Sequence, residues 1–237
     1  MINNTEKICY LATPRTASRS TSDLLRFTNS EWHEYTDQDQ RMHHLHPRIV
    51  PNLNAAKYTL VTTIRHPTEI LRSWWMSRSH HRPEQSFEEF LTSGDFCGVS
   101  PLLKLLYKDN KTVFPYQQAD VFYPYDLGID GLIYLLCGIK TEMQIDKGYR
   151  KKVKRPEITD EALELTEKLV PDDMEFYNEK RSLWSVDLLP DTLYVDKLKQ
   201  YLNGELDGTT DLANRNKQRH GNAQRPDNYR FTDAAVH

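Results

Sequence analysis

Apolar residues follow two rhythms along this chain. Ile8-Cys9-Tyr10-Leu11-Ala12 is a short unbroken apolar run, and Tyr58 to Ile64 (YTLVTTI) is rich in β-branched residues. Both predict buried strands, and Ala119 to Tyr123 (ADVFY) predicts a third. Elsewhere apolar positions recur at helical spacing. One helix is expected to start near Ser18 or Ser20, both good caps, and to run through Leu24, Leu25 and Phe27. Another is expected from Pro67 through TEILRSWWMSRS, with proline at the first helical position. Shorter helices are expected at Phe87 to Leu91, Leu102 to Tyr107 and Leu132 to Cys137. Thr159 to Val170 is amphipathic, and Pro171 opens a further helix through Phe176 and Tyr177. Residues 29–57, broken by Pro47 and Pro51, read as connecting loop with short elements.

Strands alternating with helices predict an α/β fold with a mainly parallel sheet flanked by helices. Residues 1–202 read as one domain, and 203–237 as a polar tail rich in Gly, Asn and Asp with clustered Arg. No internal repeat is present. At 237 residues the chain is long enough for a substantial core.

Charge narrows the chemistry. The net charge of −3 does not describe a general nucleic-acid binder, so any anion site must be local. Cys9, Cys97 and Cys137 make neither a metal-ligand spacing nor a disulfide framework, which fits a reducing compartment. MINNTEK carries no leader-like pattern, and no stretch approaches the roughly 20 apolar residues that span a bilayer. The expectation is a cytoplasmic protein without membrane or nucleic-acid partners.

Two stretches carry candidate chemistry. TPRTASRSTSDLL (residues 13–25) puts small hydroxyl residues and two arginines where the first strand hands over to a helix. Backbone N–H groups at such a helix start, with the helix dipole, make a phosphate or sulfate site. Thr16, Ser18, Ser20 and Thr21 add hydroxyls, while Arg15 and Arg19 add charge. The bland reading is a capping box on a surface turn, and the loop lacks the GxxxxGK[ST] of a Walker sequence. IRHPTEILRSWW then places Arg65 at the end of the second strand, where open α/β sheets bind ligands, with Ser73 eight residues on. Six residues of helix put Ser73 roughly 9 Å beyond Pro67, within an arginine's reach for a shared anion. Trp74, Ile70 and Leu71 read as core.

Together the two motifs resemble those of the sulfotransferase family, which uses 3′-phosphoadenosine 5′-phosphosulfate. The family's Pro-[Lys/Arg]-Ser/Thr-Gly/Ala-Ser/Thr loop reads here Pro14-Arg15-Thr16-Ala17-Ser18-Arg19-Ser20, and the resemblance implies that it holds the 5′-phosphosulfate. The family's Arg-x-Pro with a following Ser reads here Arg65-His66-Pro67 and Ser73, implied to hold the 3′-phosphate. VFYPYDLGID is similar to the family's Tyr-Glu-Asp-Leu strand end, keeping Asp126-Leu127 but carrying Pro124-Tyr125 before it. DDMEFYNEK is similar to its late helix, here with Asp173, Phe176 and Tyr177. The PRTAS loop looks most like the carbohydrate (heparan-type) 2-O-sulfotransferase branch, which also carries a His-x-His between the nucleotide motifs; here it is His44-Leu45-His46. The implied fold is a P-loop-like parallel sheet flanked by helices.

The implied reaction moves a sulfuryl group to an acceptor hydroxyl, a saccharide among the options, with no metal required. Arg15 stands where many members have Lys; arginine acts through charge and hydrogen bonds rather than as a proton donor. His44 or His46 suits the general base, with Glu34 as rival. His80-His81 reads as a substrate contact or a solvated helix end, and Arg215 to Arg219 with Gly221 as a closing loop or a solvated tail. Two other classes stay open: a nucleotide phosphotransferase, against which the missing GK[ST] counts, and a non-catalytic phosphonucleotide-binding protein of the same fold.

Overall fold

A computed structural model describes residues 1–13, 15–28, 31–33, 57–78, 84–93, 119–139 and 155–206. Five strands are seen there: β1 (Ile2–Asn3), β2 (Ile8–Leu11), β3 (Trp32–His33), β4 (Thr59–Ile64) and β5 (Val121–Pro124). They form one sheet in the order β3-β1-β2-β4-β5. β2, β4 and β5 run parallel, with Leu11 beside Thr62 and Ile64 beside Pro124. β1 is antiparallel to both β2 and β3, so the sheet is mixed rather than purely parallel.

The antiparallel edge has a local cause. The Asn3 side-chain oxygen accepts from the N–H groups of Thr5 and Glu6, both at 3.0 Å, and Lys7 adopts φ 56°. The polar NTEK segment therefore closes a tight turn that folds β1 back on β2.

Helices α1 (Ser18–Thr28), α2 (Pro67–Arg78), α3 (Phe87–Ser93), α4 (Ile129–Cys137), α5 (Asp160–Leu169), α6 (Pro171–Ser182) and α7 (Val195–Leu202) cover the sheet. Pro67 and Pro171 open α2 and α6 as expected, and Thr159 caps α5 by accepting from Ala162 N–H at 3.1 Å. Strand and helix alternation is thus as predicted, while α7 is an addition. The expected helix at 102–107 lies outside the described residues.

Two cores form on the two faces. Ile8, Tyr10, Val61, Val121 and Tyr123 alternate along their strands and meet Leu25 of α1, most of α4, and Leu198 of α7. Phe122 points to the other face, where Phe176 of α6 meets it edge-on at 5.6 Å. That second core joins Leu71, Trp74 and Trp75 of α2 to Phe87, Phe90, Ala162, Val170 and Met174. The helix after β2 therefore goes to one face and the helix after β4 to the other. Adjacent parallel strands whose helices part in this way leave a crevice at their carboxyl ends.

Gly131 of α4 tests how tightly the first core is assembled. A Cβ there would run into the hydroxyl of Tyr123 and the ring of Tyr201, at 2.9 Å from the latter. The Tyr123 ring is fully buried and its hydroxyl donates to Gly128 carbonyl at 2.9 Å, so it cannot swing aside. Gly131→Ala is expected to lower stability by about 1–3 kcal/mol through overpacking, outweighing alanine's better helix propensity. Urea denaturation of the two proteins measures it.

Candidate functional site

The crevice between β2 and β4 is lined by hydroxyls. Thr62 Oγ1 donates to Leu11 carbonyl at 3.0 Å, which commits its proton; Thr13 Oγ1, 2.7 Å away, must therefore be the donor in the Thr13–Thr62 bond. Thr16 Oγ1 donates to Thr13 carbonyl at 2.7 Å, and Tyr10 hydroxyl lies 3.3 Å from Thr63 Oγ1. All five residues are buried. Burial pushes the Tyr10 hydroxyl's pKa up, with hydrogen bonds from its threonine neighbours working the other way. These groups hold the first loop onto β4.

Two residues of that loop are strained. Arg15 (φ 63°) and Ala17 (φ 55°) both occupy the left-handed region, at about 1–2 kcal/mol each for a residue with a Cβ. Alternation of this kind turns successive N–H groups toward one side, the geometry of an anion nest. Helix α1 begins at Ser18, so Ala17 takes the cap position and supplies no side-chain acceptor to the first turn. The helix start expected near Ser18 or Ser20 is found at Ser18, with Ser20 inside the first turn. Among the seven α-helices of the described residues, α1 alone has no acidic residue in its first turn. No acid in that first turn opposes an approaching anion.

Arg65 connects this loop to the second motif. Its Nη1 donates to Arg15 carbonyl at 2.7 Å, its Nη2 to Glu69 at 2.8 Å, and its guanidinium lies 4.4 Å from the centre of the Tyr125 ring. Burial pulls the Arg65 pKa down, while the Tyr125 and Glu69 charges push it up. Glu69 also accepts from Arg72 and, at 2.7 Å, from Arg155. Burial alone would raise its carboxyl; the Arg72 hydrogen bond and the charges of Arg65, Arg72 and Arg155 outweigh that and hold it at about 2.

A cavity of about 20 Å³, room for a water-sized group, opens at this point. The strand ends supply Thr13, Thr63, Ile64 and Arg65; α6 supplies Asp173, Phe176 and Tyr177. His66 packs edge-on against Tyr177 at 5.1 Å, and burial keeps its pKa low. Asp126, from the 3-10 turn Tyr125–Leu127, pairs with Arg181 of α6 at 2.8 Å. All four stretches singled out in the sequence, the two loops, the β5 end and the late helix, thus meet at one end of the sheet.

The predicted site residues are distributed as follows. Arg15, Thr16, Ala17 and Arg65 stand together, with the Arg15 guanidinium 5.9 Å from the Trp74 ring. Thr16 is fully buried with its hydroxyl committed to Thr13, so what it offers a ligand is backbone. Ser73 is 9% exposed on α2, one turn beyond Glu69. Ser20 is half-buried in α1; of Ser18 and Arg19 only the backbone is described. Pro14, Glu34, His44, His46, His80, His81 and the segment Arg215 to Gly221 lie outside the described residues. Sequence reasoning missed Glu69, Arg72, Tyr125 and the threonines of β4. The spacing of Arg65, Glu69 and Arg72 at i, i+4 and i+7 was a readable signal.

Cys9 is no rival nucleophile, since burial pushes its thiol up to about 11. No helix among the described residues is long and apolar enough to cross a membrane. No protein-family model, curated protein or solved structure matches this chain.

The lowered Glu69 pKa fixes a sign. Its folded value of about 2 lies below the ordinary 4.5, so its stabilisation is complete above pH 4.5 and disappears as pH falls toward 2. Because Glu69 is partly solvated, about 1–2 kcal/mol is expected over that window. Urea denaturation across pH should show the native chain losing that much more than Glu69→Gln; parallel curves would contradict the ion cluster.

Proposed function

We propose that this protein is a sulfotransferase of the 3′-phosphoadenosine 5′-phosphosulfate-dependent class, with the fold of that family, moving a sulfuryl group to an acceptor hydroxyl. The observation that carries the reading is the 2.7 Å bond from Arg65 Nη1 to Arg15 carbonyl, which makes one unit of the two anion motifs at the carboxyl edge of β2 and β4. Supporting it are the two left-handed residues, the acid-free start of α1, and a late helix that brings Asp173, Phe176 and Tyr177 to the same cavity.

In this reading the backbone of residues 14–20 holds the phosphosulfate end, and Arg65 with Ser73 the 3′-phosphate. Sulfuryl transfer breaks the bond between sulfur and the bridging oxygen and forms one to the acceptor oxygen. As in phosphoryl transfer, the protein contributes mostly position and charge. The N–H groups at the start of α1 and the Arg15 guanidinium stabilise the charge that grows on the departing oxygen. Arginine keeps its proton, so Arg15 acts through charge and hydrogen bonds. His44 or His46 takes the acceptor's proton, a role that suits an imidazole at neutral pH. A saccharide hydroxyl is the acceptor class the loop's resemblance favours.

Calorimetry with adenosine 3′,5′-bisphosphate against ATP and AMP tests the reading. The bisphosphate is expected to bind tightest, and Arg65→Ala to weaken it about 100-fold, a charge-assisted contact's worth. Equal or absent affinity for the bisphosphate would refute it. With labelled donor and a saccharide panel, His44→Ala or His46→Ala should abolish transfer and leave bisphosphate affinity intact. A native chain that binds but transfers to no acceptor would be a phosphonucleotide-binding protein instead.

A further inference from the structure

Glu69 is surrounded by more positive charge than one carboxylate can neutralise. Arg65 Nη2 and Arg155 Nη2 reach Oε2 at 2.8 and 2.7 Å, and Arg72 Nη2 reaches Oε1. Three guanidinium groups facing one carboxylate leave a surplus of two positive charges. Two of the three are anchored independently of Glu69. Arg65 Nη1 is held by Arg15 carbonyl at 2.7 Å, and Arg72 Nη1 by Pro156 carbonyl at 2.9 Å. Both side chains are about nine-tenths buried, so neither has room to turn away. The carboxylate itself is more exposed and has only the three arginines as hydrogen-bond partners among the described residues. If it rotated out, Arg65 and Arg72 would keep their places. Arg65 also carries a buried Nε with no acceptor among the described residues.

We infer that the second motif is an arginine cage for a phosphate monoester dianion, in which the Glu69 carboxylate is the resident anion that the phosphate displaces. A dianion matches the surplus charge, and its three terminal oxygens suit three guanidinium groups better than two carboxylate oxygens do. Glu69 then has two effects of opposite sign. Without ligand it keeps three like charges from repelling one another; against ligand it competes for the same donors. Arg72, inside the second stretch but given no role by the sequence, and Arg155, outside both stretches, become ligand-binding residues. Arg155 and Pro156 bring the chain leading into α5 to the site. The inference rests on the proposed function only in naming the phosphate as a nucleotide 3′-phosphate.

The test uses the full chain and two probes, inorganic phosphate and adenosine 3′,5′-bisphosphate, with AMP as the comparison nucleotide. Removing the competing charge in Glu69→Gln should tighten both probes about tenfold, and removing a cage charge in Arg155→Gln should weaken both about fivefold. Where the proposed function holds, AMP changes by less than about twofold in either variant, because its 5′-phosphate goes to the other loop; AMP that follows inorganic phosphate keeps the cage and removes that division between the loops. Phosphate binding that is unchanged or weaker in Glu69→Gln, or unchanged in Arg155→Gln, overturns the cage. Thermal unfolding checks each variant. Should Glu69→Gln not fold, Arg155→Gln decides alone, because its side chain is 56% exposed and its loss leaves the fold intact. The two inferences fail separately. Phosphate tightened by Glu69→Gln without a bisphosphate preference keeps the cage and removes the sulfotransferase reading; a bisphosphate preference indifferent to Glu69 does the reverse.

Discussion

The guanidinium of Arg65 binds a backbone carbonyl, a carboxylate and an aromatic face at once, and the local architecture depends on all three. Its bond to Arg15 carbonyl clamps a loop that contains two left-handed residues with side chains. Such a loop relaxes unless its surroundings over-determine it. A charge-assisted hydrogen bond is worth about 1.5–3 kcal/mol, the same order as the strain in one or two left-handed residues. Thr16 to Thr13 and Thr13 to Thr62 supply further bonds from within the loop and from β4. Tyr125 seals the third side at 4.4 Å, which limits the water that could otherwise loosen the cluster.

That clamp is possible because of the strand order. β2 and β4 are neighbours in parallel register, so their carboxyl ends lie side by side, and their helices leave to opposite faces. The crevice between them is walled by backbone still open to bonding and by whatever side chains end the strands. Here those include Thr13, Thr63 and Arg65, with Ile64 beside them. Hydroxyls buried at a strand end need partners, and they find them across the crevice. The polar contacts that satisfy the core are therefore the same ones that shape the loop, which ties stability to the geometry of the site.

The alternation of strands and helices was legible because its signals are local. Three β-branched or apolar runs, prolines at the first positions of α2 and α6, and the Thr159 cap each act within a few residues. β1 and β3, at two residues each, are too short to display any period, and they convert an expected parallel sheet into a mixed one. α7 has Val195, Leu198 and Leu202 at helical spacing, but its lysines and aspartate disguise it beside a polar tail. At the site, residue types and order were readable, whereas partnerships were not. Thr62 reaches across 49 residues to Thr13, and Arg155 across 86 to Glu69. Such pairs follow from register and packing, which no window of sequence contains. Ala17 is instructive in the other direction: propensity favours a serine cap, yet the residue before α1 is an alanine with no side-chain oxygen, held at φ 55°.

The charge inventory around the crevice bears on what kind of anion it suits. Among the described residues Arg65, Arg72 and Arg155 converge on Glu69, three cations to one carboxylate, with no acid in the first turn of α1. A nucleotide that meets a surplus of fixed arginine charge has its phosphates neutralised by the protein itself. A loop built to share a nucleotide with a divalent cation is arranged differently: it offers a free hydroxyl to the cation and glycines wherever the backbone turns left-handed. Here the left-handed positions are Arg15 and Ala17, and the Thr16 hydroxyl is spent on Thr13 carbonyl. The same backbone idea, a strand that ends in a nest of N–H groups, has been completed with guanidinium groups rather than with glycine, lysine and a metal-binding hydroxyl. Under the proposed function, that completion favours a doubly phosphorylated nucleotide over a triphosphate, because its two separated phosphates would fall to the first loop and to the Arg65 cluster.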